Sequence, residues 1–187
     1  MKTVVISVIG LDCPGVVHLV SDVLSTFKVN IEAVTQTILQ GQFAAIFVVA
    51  LPEGLDRHTV QDQLARRVAE RGMHLTVNVH PFEQGSAFTP PASEPFVVTV
   101  TGPDRLDIIS SISRIFADHD VNIENLKAIL PEMGGDSCLL VFEVALPVSV
   151  DRSAFRRTLL AKAEELGLQL SIQHRNIFEA LHRVSPL

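Results

Sequence analysis

The tetrapeptide VNIE (residues 29–32) occurs again at residues 121–124, which is 92 residues further along the chain. A second tetrapeptide, VALP (residues 49–52), recurs 95 residues later at residues 144–147. The two offsets differ by three, so the second copy has gained three residues between these points. Other identical pairs that share one of the two offsets are Gly10 and Gly102, Asp12 and Asp104, Asp56 and Asp151, and Gly72 and Gly167. Agreement of this density indicates two copies of one structural unit.

Each copy opens with the pattern of a strand followed by a helix. In the first copy TVVISVI (residues 3–9) is a β-branched run of strand length, and a stripe of apolar residues at helical spacing follows it. The stripe in the first copy consists of Val16, Val20, Val23, Leu24 and Phe27. The same register in the second copy holds Ile108, Ile112, Ile115, Phe116 and His119. The two copies therefore predict the same helix twice.

The rest of each copy predicts a hairpin, a second helix and a closing strand. Residues 29–39 and 42–51 are rich in β-branched and aromatic residues and are separated by Gly41, which favours a tight hairpin. The following helix is predicted from Asp56 as N-cap to Arg71, with Gly72 as its stop, before the strand MHLTVNVH. The order βαββαβ is typical of an α+β, ferredoxin-like fold, an antiparallel sheet with both helices on one face.

The predicted domains are residues 1–82 and 96–178. Between them EQGSAFTPPASEP (residues 83–95) is rich in Pro, Ser, Ala and Gly, which favours an extended linker. The tail, residues 179–187, has no predicted role. In the second copy the longer segment PEMGGD (residues 131–136) replaces the hairpin turn. The third strand is apolar on both faces, so we expect its second face to be covered by the sister domain or by another chain.

Composition excludes several classes of function. The net charge is -6 and the basic residues are scattered, which disfavours direct nucleic-acid binding. No apolar stretch reaches 18 residues and the first apolar run is too short for a signal sequence, so we expect a cytoplasmic protein without a membrane anchor. Two cysteines, Cys13 and Cys138, form neither a zinc motif nor a disulfide framework.

The segment GLDCPGVVHLV (residues 10–20) contains the candidate binding site. Pro14 is expected in the first turn of a helix and Asp12 just before it, which by itself describes only a well-formed helix start. Gly15 costs about 1 kcal/mol relative to alanine inside a helix, so its presence suggests that something approaches the backbone closely. Free N–H groups at a helix N-terminus bind carboxylates and phosphates, so a small anion such as an amino acid is the predicted ligand.

A βαββαβ unit with G-x-D-x-P-G after its first strand and V-N-I opening its second resembles the ACT domain. Two such units in a chain of this length resemble the glycine cleavage system transcriptional repressor group. The resemblance implies a ligand held between the loop after strand one of one domain and strand two of another. Carried over to this sequence, the implied ligand-binding residues are Gly10, Leu11, Asp12, Pro14, Gly15, Asn30 and Ile31.

The second copy departs from this motif in its loop. Leu106 and Asp107 stand where the first copy has Pro14 and Gly15, and the carboxylate of Asp107 would repel a ligand carboxylate. Its own site is therefore expected to be weakened or lost. Its second strand, with Asn122 and Ile123, is expected to complete the site formed by the first loop. One intact site per pair of domains is the prediction.

Three sharper alternatives are less favoured. A catalytic Cys13 would need a base, and His18 is near in sequence without established geometry. A metal site at His74 and His80 lacks a third ligand, and RNA binding lacks the basic aromatic strands of RNA-recognition domains.

We therefore expect a non-catalytic regulator without cofactor or metal. It would bind an amino-acid-like effector, form a homodimer and act through a protein partner such as a DNA-binding transcription factor. The rival is a dimerisation scaffold with a vestigial site.

Overall fold

The computed structural model describes residues 2–83, 91–129 and 137–182. The chain divides into two compact units, unit 1 (Met1–Ala87) and unit 2 (Phe88–Leu187). Both contain the predicted order βαββαβ with all neighbouring strands antiparallel. The α+β, ferredoxin-like fold class predicted from the sequence is confirmed.

Unit 1 is built on a four-stranded sheet, sheet 1, with the strand order β2-β3-β1-β4. Its elements are β1 (Lys2–Leu11), α1 (Val16–Thr26), β2 (Asn30–Leu39), β3 (Gln42–Leu51), α2 (Arg57–Glu70) and β4 (Leu75–Pro81). The hairpin between β2 and β3 turns through Gln40 and Gly41, whose φ angles of 48° and 76° are both positive. Two consecutive positive φ angles form the two-residue turn whose twist matches the flanking strands, so the predicted tight hairpin is present.

The core of unit 1 lies between sheet 1 and its two helices. Ile6 on β1 and Phe47 on β3 are fully buried, and α1 contributes the predicted stripe together with Leu19, while Phe27 is half-buried at the end of the helix. Full burial of an aliphatic or aromatic side chain of this size contributes about 1.5–3 kcal/mol, so these residues hold the helices on one face of the sheet.

Unit 2 repeats this arrangement on a second sheet, sheet 2, with the order β6-β7-β5-β8. Its elements are β5 (Ser93–Pro103), α3 (Ile108–Asp118), β6 (Asn122–Ile129), β7 (Ser137–Pro147), α4 (Arg152–Glu165), β8 (Gln169–His174) and α5 (Arg175–His182). Phe116, Phe142 and Phe155 are buried together, with the rings of Phe116 and Phe142 edge to face at 5.3 Å. The helix α5 has no counterpart among the described elements of unit 1.

The strand and helix ends differ from the expected boundaries at two places. β5 begins at Ser93, inside the segment expected to be linker, because Ser93 is already paired with Pro147 of β7. Next to this pair, the carbonyl of Ala92 accepts a hydrogen bond from the Val148 N–H at 2.9 Å. α5 extends to His182, into the segment expected to be a tail without a role. The domain limits at 82 and 96 stay a prediction. Residues 84–90 of the linker, the turn at 131–136 and the tail from 183 lie outside the described residues.

The second helix of each unit begins as predicted. The Asp56 carboxylate accepts the His58 N–H at 3.0 Å, and the Asp151 carboxylate accepts the N–H groups of Ser153 and Ala154 at 2.9 and 3.1 Å. A capping carboxylate satisfies backbone donors that the helix itself leaves unpaired. Across the part of the chain that the structure describes, no helix is long and apolar enough to cross a membrane.

Candidate functional site

The loop that joins β1 to α1 is tied down at both sides. The N–H of Leu11 donates to the carbonyl of His74 at 3.0 Å, just before β4. The N–H of Asp12 donates to the carbonyl of Gly41 at 2.9 Å, in the turn between β2 and β3. Residues far apart in the sequence therefore fix the position of the loop. A binding site on this loop would require such a fixed position.

Packing within sheet 1 leaves no room for a side chain at Gly10. A Cβ atom on Gly10 would lie 2.0 Å from the carbonyl oxygen of His74 and 2.8 Å from the Cα of Leu75. The equivalent Gly102 is constrained less strictly, because a Cβ atom there would lie 2.7 Å from the side-chain Cδ2 of Leu168 and 3.3 Å from its Cα. The close approach at these two glycines thus comes from the same chain, at the start of the fourth strand of each unit.

The expected positions of Pro14 and Gly15 inside the first turn of α1 were wrong by one or two residues. α1 begins at Val16, and Gly15 is its N-cap residue with a φ of 97°, so Pro14 lies in the turn before the helix. A left-handed backbone is costly for any residue with a Cβ, which explains Gly15 without a ligand. Space is not the constraint, because a Cβ atom at Gly15 would meet only the Met73 Cε at 3.8 Å.

The N-terminus of α1 is open to a ligand. No side chain caps this helix, in contrast to α2 and α4. The first hydrogen bond within the helix is donated by the Leu19 N–H to the Gly15 carbonyl oxygen at 2.9 Å. The N–H groups of the first helical turn have no partner inside the helix and carry its positive partial charge. Anion binding at the start of α1 stays a prediction, and the backbone N–H groups that it would use are not capped by a side chain.

A cavity of about 340 Å³ lies at this helix start. Its lining consists of Asp12, Cys13, Gly15, Val16, Val17, His18, Gln36 and Phe43. Gln36 was missed in the sequence, although Val34, Gln36 and Ile38 alternate along β2 and their strand partners Phe47, Ala45 and Phe43 belong to the core. The cavity thus combines one carboxylate, one amide and a helix N-terminus, within the usual size of a small-molecule site.

Asn30 and Ile31 lie at the opposite end of sheet 1 from this cavity. Asn30 is paired with Ala50, whereas Gly10 is paired with Phe43, which is also the partner of Ile38. Eight residues of strand at about 3.3 Å each separate the two positions by about 25 Å. The predicted asparagine would therefore have to come from a different ACT-like unit, as the resemblance implies, and its role stays a prediction.

The corresponding loop of unit 2 has a different construction. Asp107 is the N-cap residue of α3 with a φ of -105°, and its carboxylate does not cap the helix but accepts a hydrogen bond from the Arg105 Nε at 3.2 Å. Leu106 is fully exposed. A carboxylate thus stands at the start of α3, where unit 1 has only the backbone of Gly15. In unit 2 the strand residues Asn122 and Ile123 lie at the start of β6, paired with Ala145 and Val144.

The residues of the alternative sites are placed as follows. Cys13 is half-buried and lines the cavity together with His18, but no hydrogen bond joins the two side chains among the described residues. His74 precedes β4 and His80 lies within it. Within residues 2–83, 91–129 and 137–182, no three His, Cys, Asp or Glu side chains are grouped as a metal ion would require.

Each unit is thus a ferredoxin-like module whose first helix starts, without a side-chain cap, beside the end of the first strand. The ACT domain family matches residues 2–78 and 94–173. The chain belongs to the ACT domain family and consists of two ACT domains, which are regulatory domains, in tandem.

Known proteins resemble this chain at two levels. In sequence, a UPF0237 protein from Methanosarcina acetivorans is 29% identical over 92 residues, which are 49% of this chain and 98% of the relative. A UPF0237 protein from Methanopyrus kandleri is 36% identical over 88 residues, which are 47% of this chain and 96% of the relative. Each relative is therefore matched over almost its whole length by about half of this chain.

Two solved structures are similar over the whole tandem. The crystal structure of an unknown protein from Galdieria sulphuraria has a TM-score of 0.72 at 23% identity, covering 92% of this chain and 98% of the other. A candidate glycine cleavage system transcriptional repressor has a TM-score of 0.61 at 15% identity, covering 92% and 96%. At these identities the likeness concerns the fold alone.

Proposed function

We propose that this protein is a non-catalytic regulator that binds a small amino-acid-like effector at the start of α1 and acts through a protein partner. The observation that carries the proposal is the cavity at an uncapped helix N-terminus with the carboxylate of Asp12 in its lining. An anion-binding group and a cation-binding group side by side match the two charges of an amino acid.

The chemistry of the two halves is complementary. The backbone N–H groups at the start of α1 would accept the effector's carboxylate, as helix N-termini do for small anions. Asp12 is exposed and would accept its ammonium group, while the Gln36 amide offers both a donor and an acceptor. Phe43 and Val16 supply apolar contact for a side chain.

A second ACT domain would complete the site. Asn30 and Ile31 of another copy, or Asn122 and Ile123 of a unit 2, would contact the ligand from the far side of the interface. The loop of unit 2 is the weaker binder in this proposal, because Asp107 adds a negative charge at the position of Gly15. One effector per pair of domains is the expected stoichiometry.

Signal transmission follows from such bridging. A ligand that contacts two domains stabilises the arrangement in which both contacts form, and the shift equals its difference in affinity between arrangements. With a net charge of -6, the chain would reach DNA through a DNA-binding partner rather than directly. Control of genes of amino-acid metabolism, glycine included, is the proposed role, and the resemblance to the glycine cleavage system repressor group supports it.

The test is a calorimetric thermal-unfolding screen with the twenty amino acids, chosen because the chain has neither Trp nor Tyr. A ligand at about 100 times its dissociation constant adds about 2.7 kcal/mol, which raises Tm by about 5–10 °C in a chain of this size. Asp12→Ala should abolish the shift, and the repeat-matched Asp104→Ala should keep it. No shift with any amino acid, or equal loss in both aspartate variants, would contradict the proposal.

A further inference from the structure

A second cavity of unit 1 lies at the opposite end of sheet 1 from the start of α1. This cavity, called here the basal cavity, has a volume of about 430 Å³ and lies where the start of β1, the end of β3, the start of α2 and the end of β4 meet. β1 runs between the two cavities from Lys2 to Leu11, a distance of about 30 Å at about 3.3 Å per residue. The apolar part of the basal lining includes Val4, Leu51, Leu55 and Phe82.

Two cationic side chains of the basal cavity have no partner. Lys2, at the start of β1, is exposed, and Arg57, the first residue of α2, is half-buried. Neither side chain forms an ion pair or a hydrogen bond within the residues that the structure describes. The carboxylate in the lining belongs to Asp56 and accepts the His58 N–H at 3.0 Å as the cap of α2, while Glu53 lines an adjoining depression. The cavity therefore has an excess of positive charge.

Unit 2 has an ion pair where unit 1 has these two cations. Glu94 corresponds to Lys2, because the two residues hold the same register position against the third strand of their units. Arg152, the first residue of α4, corresponds to Arg57. The Arg152 guanidinium lies 2.6 Å from the Glu94 carboxylate. A carboxylate thus completes this position in unit 2, whereas unit 1 keeps the arginine and has a second cation in place of the carboxylate.

Unit 2 also has an aromatic ring in the equivalent space. Phe96 corresponds to Val4, two residues further along the first strand. The guanidinium carbon of Arg152 lies over the Phe96 ring, 5.7 Å from its centre, while the same guanidinium binds Glu94. In unit 1 the smaller Val4 lines the basal cavity beside Arg57. Unit 2 therefore holds a carboxylate and an aromatic ring around one arginine, and unit 1 has a cavity there.

We infer that the basal cavity of unit 1 binds a small carboxylate with an aromatic body. The ligand's carboxylate lies between Arg57 and Lys2, at the position that Glu94 takes in unit 2. Arginine binds a carboxylate through two parallel N–H···O bonds, and an anion between two cations offsets their repulsion. The ligand's ring lies against Val4 and packs over Arg57, since an aromatic face attracts a guanidinium.

The ligand of the basal cavity differs from the effector proposed for the start of α1. An ammonium group would face Lys2 and Arg57, and the Asp56 carboxylate is already engaged as the cap of α2. The basal cavity therefore favours a carboxylate without an amino group. The inference does not rest on the proposed effector site, because the linings of the two cavities share no residue.

The experiment is a titration of the full, ¹⁵N-labelled chain with 3-phenylpropanoate, followed by amide chemical shifts. Saturable shifts should appear around Lys2, Arg57 and Phe82, with a dissociation constant of about 0.1–1 mM for a ligand of this size. Three further probes separate the contributions: 3-phenylpropan-1-ol has no carboxylate, acetate has no ring, and L-phenylalanine adds an ammonium group. Each should bind about tenfold more weakly or worse, because each loses a contact or adds a repulsion.

The variant Lys2→Glu gives unit 1 the residue that unit 2 has at this position. Its carboxylate should pair with Arg57 as Glu94 pairs with Arg152, compete with the ligand and raise the dissociation constant about tenfold or more. Lys127→Glu makes the same charge change at an exposed position on β6 and should leave the constant unchanged. Arg57→Gln removes the guanidinium and is the second variant, with circular dichroism as the check that each variant folds.

The outcomes that overturn the inference are distinct. Saturable shifts in the loop between β1 and α1 instead of around Lys2 and Arg57 would place the carboxylate at the proposed effector site. No saturable shift up to about 10 mM would show that the basal cavity does not bind this class of ligand. Equal binding of 3-phenylpropan-1-ol, or unchanged binding in both Lys2→Glu and Arg57→Gln, would show that the two cations do not hold the carboxylate.

Discussion

Gly10 and His74 are in direct contact across the start of β4, so close that a Cβ atom on Gly10 would lie 2.0 Å from the His74 carbonyl oxygen. The same oxygen accepts the Leu11 N–H at 3.0 Å. One carbonyl thus both excludes a side chain at residue 10 and anchors the loop that leads to α1. The proposed effector site depends on this contact, although the contact itself involves no ligand.

Replacement of Gly10 by alanine should destabilise unit 1 strongly. The added methyl group would meet backbone atoms that cannot rotate away, so we expect a loss of about 3 kcal/mol or more in the free energy of unfolding. Gly54→Ala is the matched control, because Gly54 has a φ of 85° but no atom within 4 Å of a built Cβ. It should cost only about 1 kcal/mol of backbone strain. Urea unfolding measures both, and equal losses would show that the contact with His74 is not limiting.

The two kinds of helix start should respond differently to loss of a carboxylate. Asp56→Ala removes the hydrogen bond to the His58 N–H and should lower the free energy of unfolding by about 1 kcal/mol, whereas Asp56→Asn should be nearly neutral. Asp107 makes no capping bond, so Asp107→Ala should cost less than about 0.5 kcal/mol. Chemical denaturation of the three variants provides the comparison. A larger loss at Asp107 than at Asp56 would mean that the first helix of unit 2 is capped in solution.

Loss of Arg175 should loosen α5. The guanidinium ion-pairs with Glu124 and Glu143 and is 30% exposed, so Arg175→Ala should cost about 1 kcal/mol of local stability. Amide hydrogen exchange within α5 should then become about fivefold faster while the sheet is unaffected. Arg114→Ala is the control, because its ion pair with Asp118 spans 3.9 Å at two highly exposed side chains. Unchanged exchange in the Arg175 variant would show that other contacts hold the helix.

The two cysteines should differ in reactivity and in their effect on alkaline stability. Burial raises the pKa of the Cys138 thiol, and the negative charge of Asp104 raises it further. The thiol therefore stays neutral in the folded state at a pH where the unfolded chain, with a pKa of about 8.5, already ionises. The contribution of the buried, neutral Cys138 thiol to the free energy of unfolding is complete below the pKa of the unfolded cysteine. This contribution is lost as the pH rises above that pKa.

The measurement compares the urea midpoints of the wild type and Cys138→Val at about pH 7 and about pH 10. Other groups titrate equally in both proteins, so the wild type should lose more stability than the variant as the pH rises. A thiol reagent should label half-buried Cys13 first and Cys138 only on unfolding, with Cys13→Ser as the control. Equal labelling rates in the folded protein would contradict the buried position of Cys138.

The sequence by itself determined the features that depend on neighbours within a few residues. The helical stripes, the capping aspartates and the turn at Gly41 all follow from local periodicity and backbone preference. The repeat doubled each of these signals, so the order βαββαβ and the ACT family were predictable. The N-terminus of α1 was found for the same reason, although Pro14 and Gly15 were placed one or two residues too far into the helix.

Only the tertiary structure decided which distant residues meet. Gln36 joins Asp12 in one cavity because the register of β2 against β3 sets its face, and a shift of one residue would turn it away. Arg175 meets Glu124 and Glu143 because the chain crosses the face of sheet 2 after β8. Contacts of this kind join residues tens of positions apart, and the energies that select them arise from packing and charge pairing that no local pattern encodes.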